Sequence, residues 1–271
     1  TGQKTRIWAT WRPRRVGDHM TADRYLSGIL IREQVDTGPM SPVRAVQRTI
    51  MPALNSWGGN YLSEVYPSGS FAKGTANRTG TDIDLFISVA ESVPNTMKEI
   101  YNTLFEQMTK QGYGPKRQNV SININIGGYS VDLVPGKRQN AYSQDHSLYR
   151  RRADTWTKTN VLTHISQISS SGLTNEIRIL KLWRTQKTLD FPSFYLELAI
   201  IHALKGRYGT LSQRVWVALE YLRDQFSSAR FADPANTNNI ISDDLTASAR
   251  SSIQAAARAS LIATNWSQIV K

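Results

Sequence analysis

One stretch constrains this chain more than any other. It runs Pro67-Ser68-Gly69-Ser70-Phe71-Ala72-Lys73-Gly74-Thr75 and continues to Thr81-Asp82-Ile83-Asp84-Leu85. Successive side chains of a strand point to opposite faces, so Asp82 and Asp84 share one face and Ile83 and Leu85 the other. Two carboxylates converging on one spot repel and shift upward in pKa unless a cation neutralises them. Magnesium, or manganese in its place, suits carboxylate and phosphate oxygens. A pair of such ions ~4 Å apart can activate an attacking hydroxyl and stabilise the leaving oxygen. The Gly69-Ser70 turn ahead of the strand can hold phosphate through backbone N–H groups and the Ser70 hydroxyl, or Ser70 can simply cap the turn.

A third acid completes the pattern. Val120-Ser121-Ile122-Asn123-Ile124-Asn125-Ile126 alternates, Gly127-Gly128 makes a turn, and Tyr129-Ser130-Val131-Asp132-Leu133-Val134-Pro135 resumes the alternation. This reads as a hairpin. Asp132 projects from the face opposite Val131 and Leu133, where a neighbouring strand can align it with Asp82 and Asp84. The spacing therefore predicts Asp82, Asp84 and Asp132 as metal ligands and catalytic residues.

Apolar spacing predicts a helix near Thr21 to Ile31, with Thr21 as N-cap, and a long amphipathic helix through Val43, Val46, Ile50, Leu54 and Trp57 to Gly58-Gly59. A further helix spans Lys98 to Lys110. From Ser170 onward helical patterns dominate, over 177–188, 194–204, 212–226 and 243–266, so strands concentrate before Pro135. The expected architecture is α/β, with a catalytic lobe over residues 1–165 and a helical lobe over 166–271, the active site lying in the cleft between them.

The 33 Lys and Arg against 21 Asp and Glu give a net charge of +12, which suits either a triphosphate cleft or a polynucleotide track. Scattered basic residues, with local clusters at Arg12-Pro13-Arg14-Arg15, Lys137-Arg138 and Arg150-Arg151-Arg152, favour the cleft, so nucleic acid is not required. Zero cysteines exclude disulfides and thiolate metal sites within these 271 residues. No apolar run approaches ~18 residues and the Arg-rich start lacks the apolar core of a signal peptide, so no membrane partner and a cytoplasmic location are expected. His146, His164 and His202 show no ligand spacing.

Gly69-Ser70 through Asp82-Ile83-Asp84, then Asp132, resembles the polymerase-β-like nucleotidyltransferase superfamily. Within it the chain is similar to the bacterial cGAS/DncV-like nucleotidyltransferases (CD-NTases, clade E among them), relatives of oligoadenylate synthase. Arg178-Ile179-Leu180-Lys181-Leu182-Trp183 with Pro192-Ser193-Phe194-Tyr195-Leu196-Glu197-Leu198 looks like that family's helical segment. Asp233-Pro234-Ala235-Asn236-Thr237-Asn238-Asn239 and Trp266-Ser267-Gln268-Ile269-Val270 resemble its C-terminal signature.

The resemblance implies a mixed-sheet lobe plus a helical lobe, with a long helix ahead of the Gly-Ser unit bracing both. Two Mg2+ or Mn2+ ions would serve the reaction. ATP is the implied substrate, with UTP or GTP as further candidates, and the product would be a cyclic di- or oligonucleotide second messenger made in anti-phage signalling. A regulatory protein partner is also implied. Gly69, Ser70, Lys181 and Ser193 would hold the triphosphate, although Lys181 could snorkel to solvent and Ser193 could be a helix N-cap. Lys73 could reach phosphate or stay solvated. Tyr195 offers a face for base stacking, or for the core. Asn160 falls where the family often reads Thr-Asn-Pro, with Val161 replacing the Pro here. An Asn there reads a pyrimidine edge in some members, which points to a UMP-containing product. The competing readings are CCA-adding or toxin-type enzymes that modify tRNA or protein, and a catalytically dead RNA-binding module.

Overall fold

The structure is a computed structural model that describes residues 17–80 and 82–271, with side chains described from Thr21 onward. The Arg12-Pro13-Arg14-Arg15 cluster and Thr81 lie outside the described residues. Helices α1 (Gly17–Arg32) and α2 (Pro42–Gly58) lead into β1 (Leu62–Pro67), the short α3 (Gly69–Lys73) and β2 (Ile83–Val89). After α4 (Met97–Lys110) come β3 (Lys116–Arg117), β4 (Ile122–Ile126), β5 (Tyr129–Arg138), β6 (His146–Arg150) and β7 (Thr155–Thr159). The rest is mostly helical: α5 (Val161–Ser169), α6 (Thr174–Gln186), α7 (Ser193–Leu204), α8 (Leu211–Asp224), the small hairpin β8 (Ala232–Asp233) and β9 (Asn236–Ile240), and α9 (Ala247–Leu261).

The sheet is mixed, in the order β1-β2-β5-β4-β3, with β6 pairing β5 and β7 pairing β6. Strands β2 and β5 run parallel, and the other pairs are antiparallel. Period-two alternation divides its faces. Ile83, Leu85 and Ile87 of β2, Val131 and Leu133 of β5, and Ile122, Ile124 and Ile126 of β4 join Val46, Ile50 and Leu54 of α2 and Tyr101, Leu104 and Met108 of α4 in one core. Each such side chain contributes ~1.5–3 kcal/mol when fully buried. That requirement fixes the register, and the opposite face is left to Asp84, Asp132 and Asn123. The β4–β5 turn has φ of 60° at Gly127 and 85° at Gly128, the positive pair that a two-residue hairpin turn demands.

Local chemistry sets the helix starts. Ser41 caps α2 with Pro42 at its first position, Thr96 and Glu99 form a capping box on α4, and Thr246 caps α9. The second core gathers α6, α7, α8 and α9 around the fully buried Trp183, Tyr195 and Phe226.

The structure departs from the sequence reading in several places. Leu26, Ile29 and Leu30 of α1 pack into the helical core, so a single cut at residue 165 does not divide the two cores. Helix α1 runs from Gly17, which places Thr21 inside it rather than at its cap. Strands continue beyond Pro135 in β5, β6 and β7, because Trp156-Thr157-Lys158-Thr159 is a strand of β-branched and aromatic residues without apolar alternation. Residues 243–246 stay outside α9, since the capping Thr246 begins that helix and a separate 3-10 turn spans Ile241–Asp244. The Asp233-to-Asn239 stretch forms the β8–β9 hairpin.

Candidate active site

Strands β2 and β5 place Asp84 directly opposite Asp132 in register. Burial pushes the Asp84 carboxyl up to about 6; Asp132 and Asp82 push the same way, while Lys73 and Lys181 oppose them. Burial also raises Asp132, and Asp82 adds to the rise. Asp82 is exposed and lies one residue ahead of β2, whereas the sequence alternation put it on the strand. Asp132 is held on its strand: its Oδ1 accepts Asn123 Nδ2 at 2.8 Å and Gln118 Nε2 at 3.1 Å.

The Gly69 turn closes over these acids. Ser68 N–H donates to the Asp84 carbonyl at 2.8 Å, and Gly69 then turns with φ of 56°. A Cβ at Gly69 would overlap the Asp84 carboxylate, so only glycine lets the turn approach this closely. Ser70 lies in α3, partly buried, and its carbonyl accepts Thr75 N–H at 2.9 Å, which ties the turn to the segment that follows.

Beyond the turn lies a cluster of charges between the lobes. Glu197 of α7 is 1% exposed; its Oε2 accepts Lys73 Nζ at 2.9 Å and its Oε1 accepts Thr75 Oγ1 at 3.0 Å. Lys181 Nζ donates to the Thr75 carbonyl at 3.0 Å and stands 3.9 Å from Glu197 Oε1. Burial lowers Lys181 to about 8, with Glu197 opposing the shift. Neither lysine is a solvated surface charge. Lys73 also lies 4.4 Å from the centroid of the Phe194 ring.

Three sequence-derived assignments change. Tyr195 is fully buried in the helical core, stacked on Phe226 at 4.7 Å between ring centroids, so a base has no access to its face. Ser193 is the first residue of α7 with Pro192 at the cap position, and no side-chain cap bond forms there. Asn160 caps α5, its Oδ1 accepting Thr163 N–H at 3.0 Å, while its Nδ2 donates to Asp145 Oδ1 at 2.9 Å. Its amide oxygen and an N–H are thus engaged within the chain. The histidines have structural partners: His146 Nε2 bonds Ser88 Oγ at 2.8 Å, His164 Nε2 bonds Asp233 Oδ1 at 2.6 Å, and His202 packs on Tyr221 and Phe231.

Several site residues escaped the sequence reading. Asn123 was findable, because the hairpin register that pairs Ile126 with Tyr129 necessarily pairs Asn123 with Asp132. Glu197 was the lone charge in the apolar run Phe194-Tyr195-Leu196-Glu197-Leu198-Ala199-Ile200-Ile201, a local signal in itself. Gln118 and Thr75 carried none, since only the tertiary fold brings them to the acids and to Glu197.

Among the described residues, no group of three His, Cys, Asp or Glu side chains stands close enough together to hold a metal ion. The donor set nevertheless fits one. Asp84 and Asp132 share a strand register, repulsion and burial raise both, and the glycine opposite leaves room at the Asp84 carboxylate. Hard oxygen donors of this kind suit Mg2+ or Mn2+.

The sheet, the turn and the facing acids define a nucleotidyltransferase fold of the polymerase-β-like type. Residues 49–138 match the family described as nucleotidyltransferase domain. Within this class it is similar to the CD-NTases. The cyclic AMP-AMP-AMP synthase of Escherichia coli strain MS 115-1 is 24% identical over a stretch covering 53% of this chain and 50% of that protein. The chain therefore spans about half the length of this curated relative. The structure of E. coli MS115-1 CdnC with ATP shares the fold at a TM-score of 0.74 and 18% identity, covering 92% of this chain and 97% of that one. The Bradyrhizobium diazoefficiens CD-NTase CdnG with GTP does so at 0.68 and 14%, covering 91% and 94%. Among the described residues no helix is long and apolar enough to cross a membrane.

Proposed function

We propose that this protein joins nucleoside triphosphates into a cyclic di- or oligonucleotide and releases pyrophosphate. The observation that carries the reading is Asp84 facing Asp132 across parallel strands, directly beneath a glycine turn flanked by Lys73 and Lys181. In the reaction a ribose hydroxyl attacks the α-phosphorus, the bond from the α-phosphorus to its bridging oxygen breaks, and pyrophosphate leaves. Repetition with the chain end turned back closes the ring.

Ser70 and Lys181 hold the phosphates, with Gly69 giving them close approach to the acids and Ser193, first residue of α7, as a further phosphate ligand. Asp82, Asp84 and Asp132 would hold two Mg2+ or Mn2+ ions. Such ions supply charge neutralisation at the phosphate and a lowered pKa for the hydroxyl. Asn123 and Gln118 hold the Asp132 side chain in one orientation, so the acids meet their ligand already positioned.

ATP is the proposed substrate, because the similar E. coli proteins are a cyclic AMP-AMP-AMP synthase and a CdnC with ATP bound. Incorporation of UMP is the finer reading and rests on Asn160 reaching a base while it holds Asp145. Cytoplasmic anti-phage signalling under a regulatory protein partner is the setting we infer. Relatives named as CBASS oligonucleotide cyclases and a structure of CdnC in complex with HORMA support this reading.

The test is incubation with all four labelled nucleoside triphosphates and Mg2+ or Mn2+, then phosphatase treatment, chromatography and mass spectrometry. A phosphatase-resistant product of two or three nucleotides is expected, and its mass names the bases. Label entering added tRNA or protein instead would establish the CCA-adding or toxin-type alternative, and no transfer at all would leave a binding module.

A further inference from the structure

The Glu197 cluster does more than join the lobes. A buried carboxylate costs several kcal/mol unless it is paired and hydrogen-bonded. Glu197 meets that cost with Lys73 and Thr75 at 2.9 and 3.0 Å, and it lies 3.9 Å from a second ammonium, Lys181. Two lysines against one carboxylate leave one positive charge in excess. Both lysines act on the Asp84 carboxyl, Lys73 more strongly than Lys181, and Lys181 is the one that donates to the Thr75 carbonyl instead of to Glu197.

Lobe docking does not depend on this cluster. Just beyond it, Asn77 Nδ2 donates to the Arg178 carbonyl at 3.0 Å, and Arg178 donates to the carbonyls of Ala76 at 3.1 Å and Glu33 at 2.9 Å. Thr79 N–H donates to Glu33 Oε2 at 2.8 Å. What Glu197 alone does is gather both lysines and Thr75. Thr75 in turn bonds the Ser70 carbonyl, so the position of α7 is transmitted to the turn.

We propose that Glu197 is a positioning residue of the triphosphate site, holding Lys73 and Thr75 in place so that Lys181 is left charged and aimed at the phosphates. The inference rests on the nucleotidyltransferase reading above. The groups facing Lys181 are Glu197 and Asp84, which favour its charged form, and Lys73 and Arg184, which oppose it. Burial already lowers Lys181 to about 8, so loss of the Glu197 charge strips its proton at mildly alkaline pH.

The experiment measures pyrophosphate release by the wild-type protein, Glu197→Gln and Glu197→Asp at pH 6.5 and 8.5. In Glu197→Gln the KM for the triphosphate stays within about 3-fold of wild type at the lower pH and rises about 10-fold at the higher, while kcat changes less than about 3-fold. Glu197→Asp, with its charge kept and its reach shortened, restores the wild-type pH profile and leaves KM about 3-fold raised at both pH values. A purely structural role would lower folding and kcat together with no pH-dependent KM, and that result would overturn the proposal. If Glu197→Gln does not fold, Glu197→Asp decides: a wild-type KM at both pH values overturns it. If the wild-type protein releases no pyrophosphate from any triphosphate, the functional reading fails on its own. Titration with inorganic tripolyphosphate then reads Glu197 directly. Weaker binding by Glu197→Gln at pH 8.5 upholds the positioning role, and equal binding overturns it.

Discussion

Asp84 in the sheet and Glu197 in α7 are both acids removed from water, yet their surroundings differ in sign. Around Asp84 the nearest charges include two further acids, and burial drives its carboxyl up to about 6. Around Glu197 stand the ammonium groups of Lys73 and Lys181 and the hydroxyl of Thr75. On the sheet, Asp84 faces two further acids and is offset only at a distance by Lys73 and Lys181, whereas Glu197 of α7 is in direct contact with Lys73 and Thr75 from the turn side. A ligand bringing both cations and phosphates satisfies both at once, which is why the cleft between the lobes suits a metal-bound triphosphate.

The comparison breaks most visibly at Gly69. Gly69→Ala forces a Cβ against the Asp84 carboxylate at a φ of 56°, so nucleotide transfer should fall ~10²-fold and stability by ~1–3 kcal/mol. Steady-state product formation and urea denaturation measure the two effects; an unchanged rate would mean that the turn does not act at Asp84.

Asp84 itself sharpens the contrast through pH. A carboxyl raised from 3.8 to about 6 destabilises the folded state when ionised. The penalty is absent below the unfolded pKa and develops as pH rises through about 6, reaching up to about 3 kcal/mol. In chelator at pH 7.5, Asp84→Asn should therefore be more stable than the wild-type protein, and added Mg2+ or Mn2+ should narrow the gap. A urea midpoint that is lower for Asp84→Asn under those conditions would show that the buried, acid-flanked carboxylate carries no such penalty.

Much of this was legible in the sequence, and the limit was physical. The β2 and β5 alternations put Asp84 and Asp132 on the open face because burying Leu85 and Leu133 leaves no other register. Helices with their own caps, such as α2 and α4, fell near their predicted bounds. Tyr195 misled because an aromatic near a candidate phosphate ligand looks the same in sequence whether it faces a cleft or Phe226. The partnership of Glu197 with Lys73 joins residues 124 positions apart, and no local pattern encodes it.

Smaller effects refine the edges of the site. Asn160→Ser keeps an oxygen that can cap α5, so stability should change by less than ~1 kcal/mol while UTP incorporation falls relative to ATP or GTP. An unchanged ratio in competition assays would end the uridine reading. Tyr195→Phe removes a buried hydroxyl with no hydrogen-bond partner in the structure. Stability should shift by no more than ~0.5 kcal/mol and KM not at all; a raised KM would return Tyr195 to the nucleotide site.

The facing carboxylates are tested most directly by labelled pyrophosphate release from nucleoside triphosphates, comparing the wild-type protein with Asp84→Asn and Asp132→Asn, with and without divalent ions. Release should require Mg2+ or Mn2+ and fall by ~10³-fold or more in either variant while the fold persists by circular dichroism. Near-normal release by Asp132→Asn would show that the acid facing Asp84 is not part of the centre.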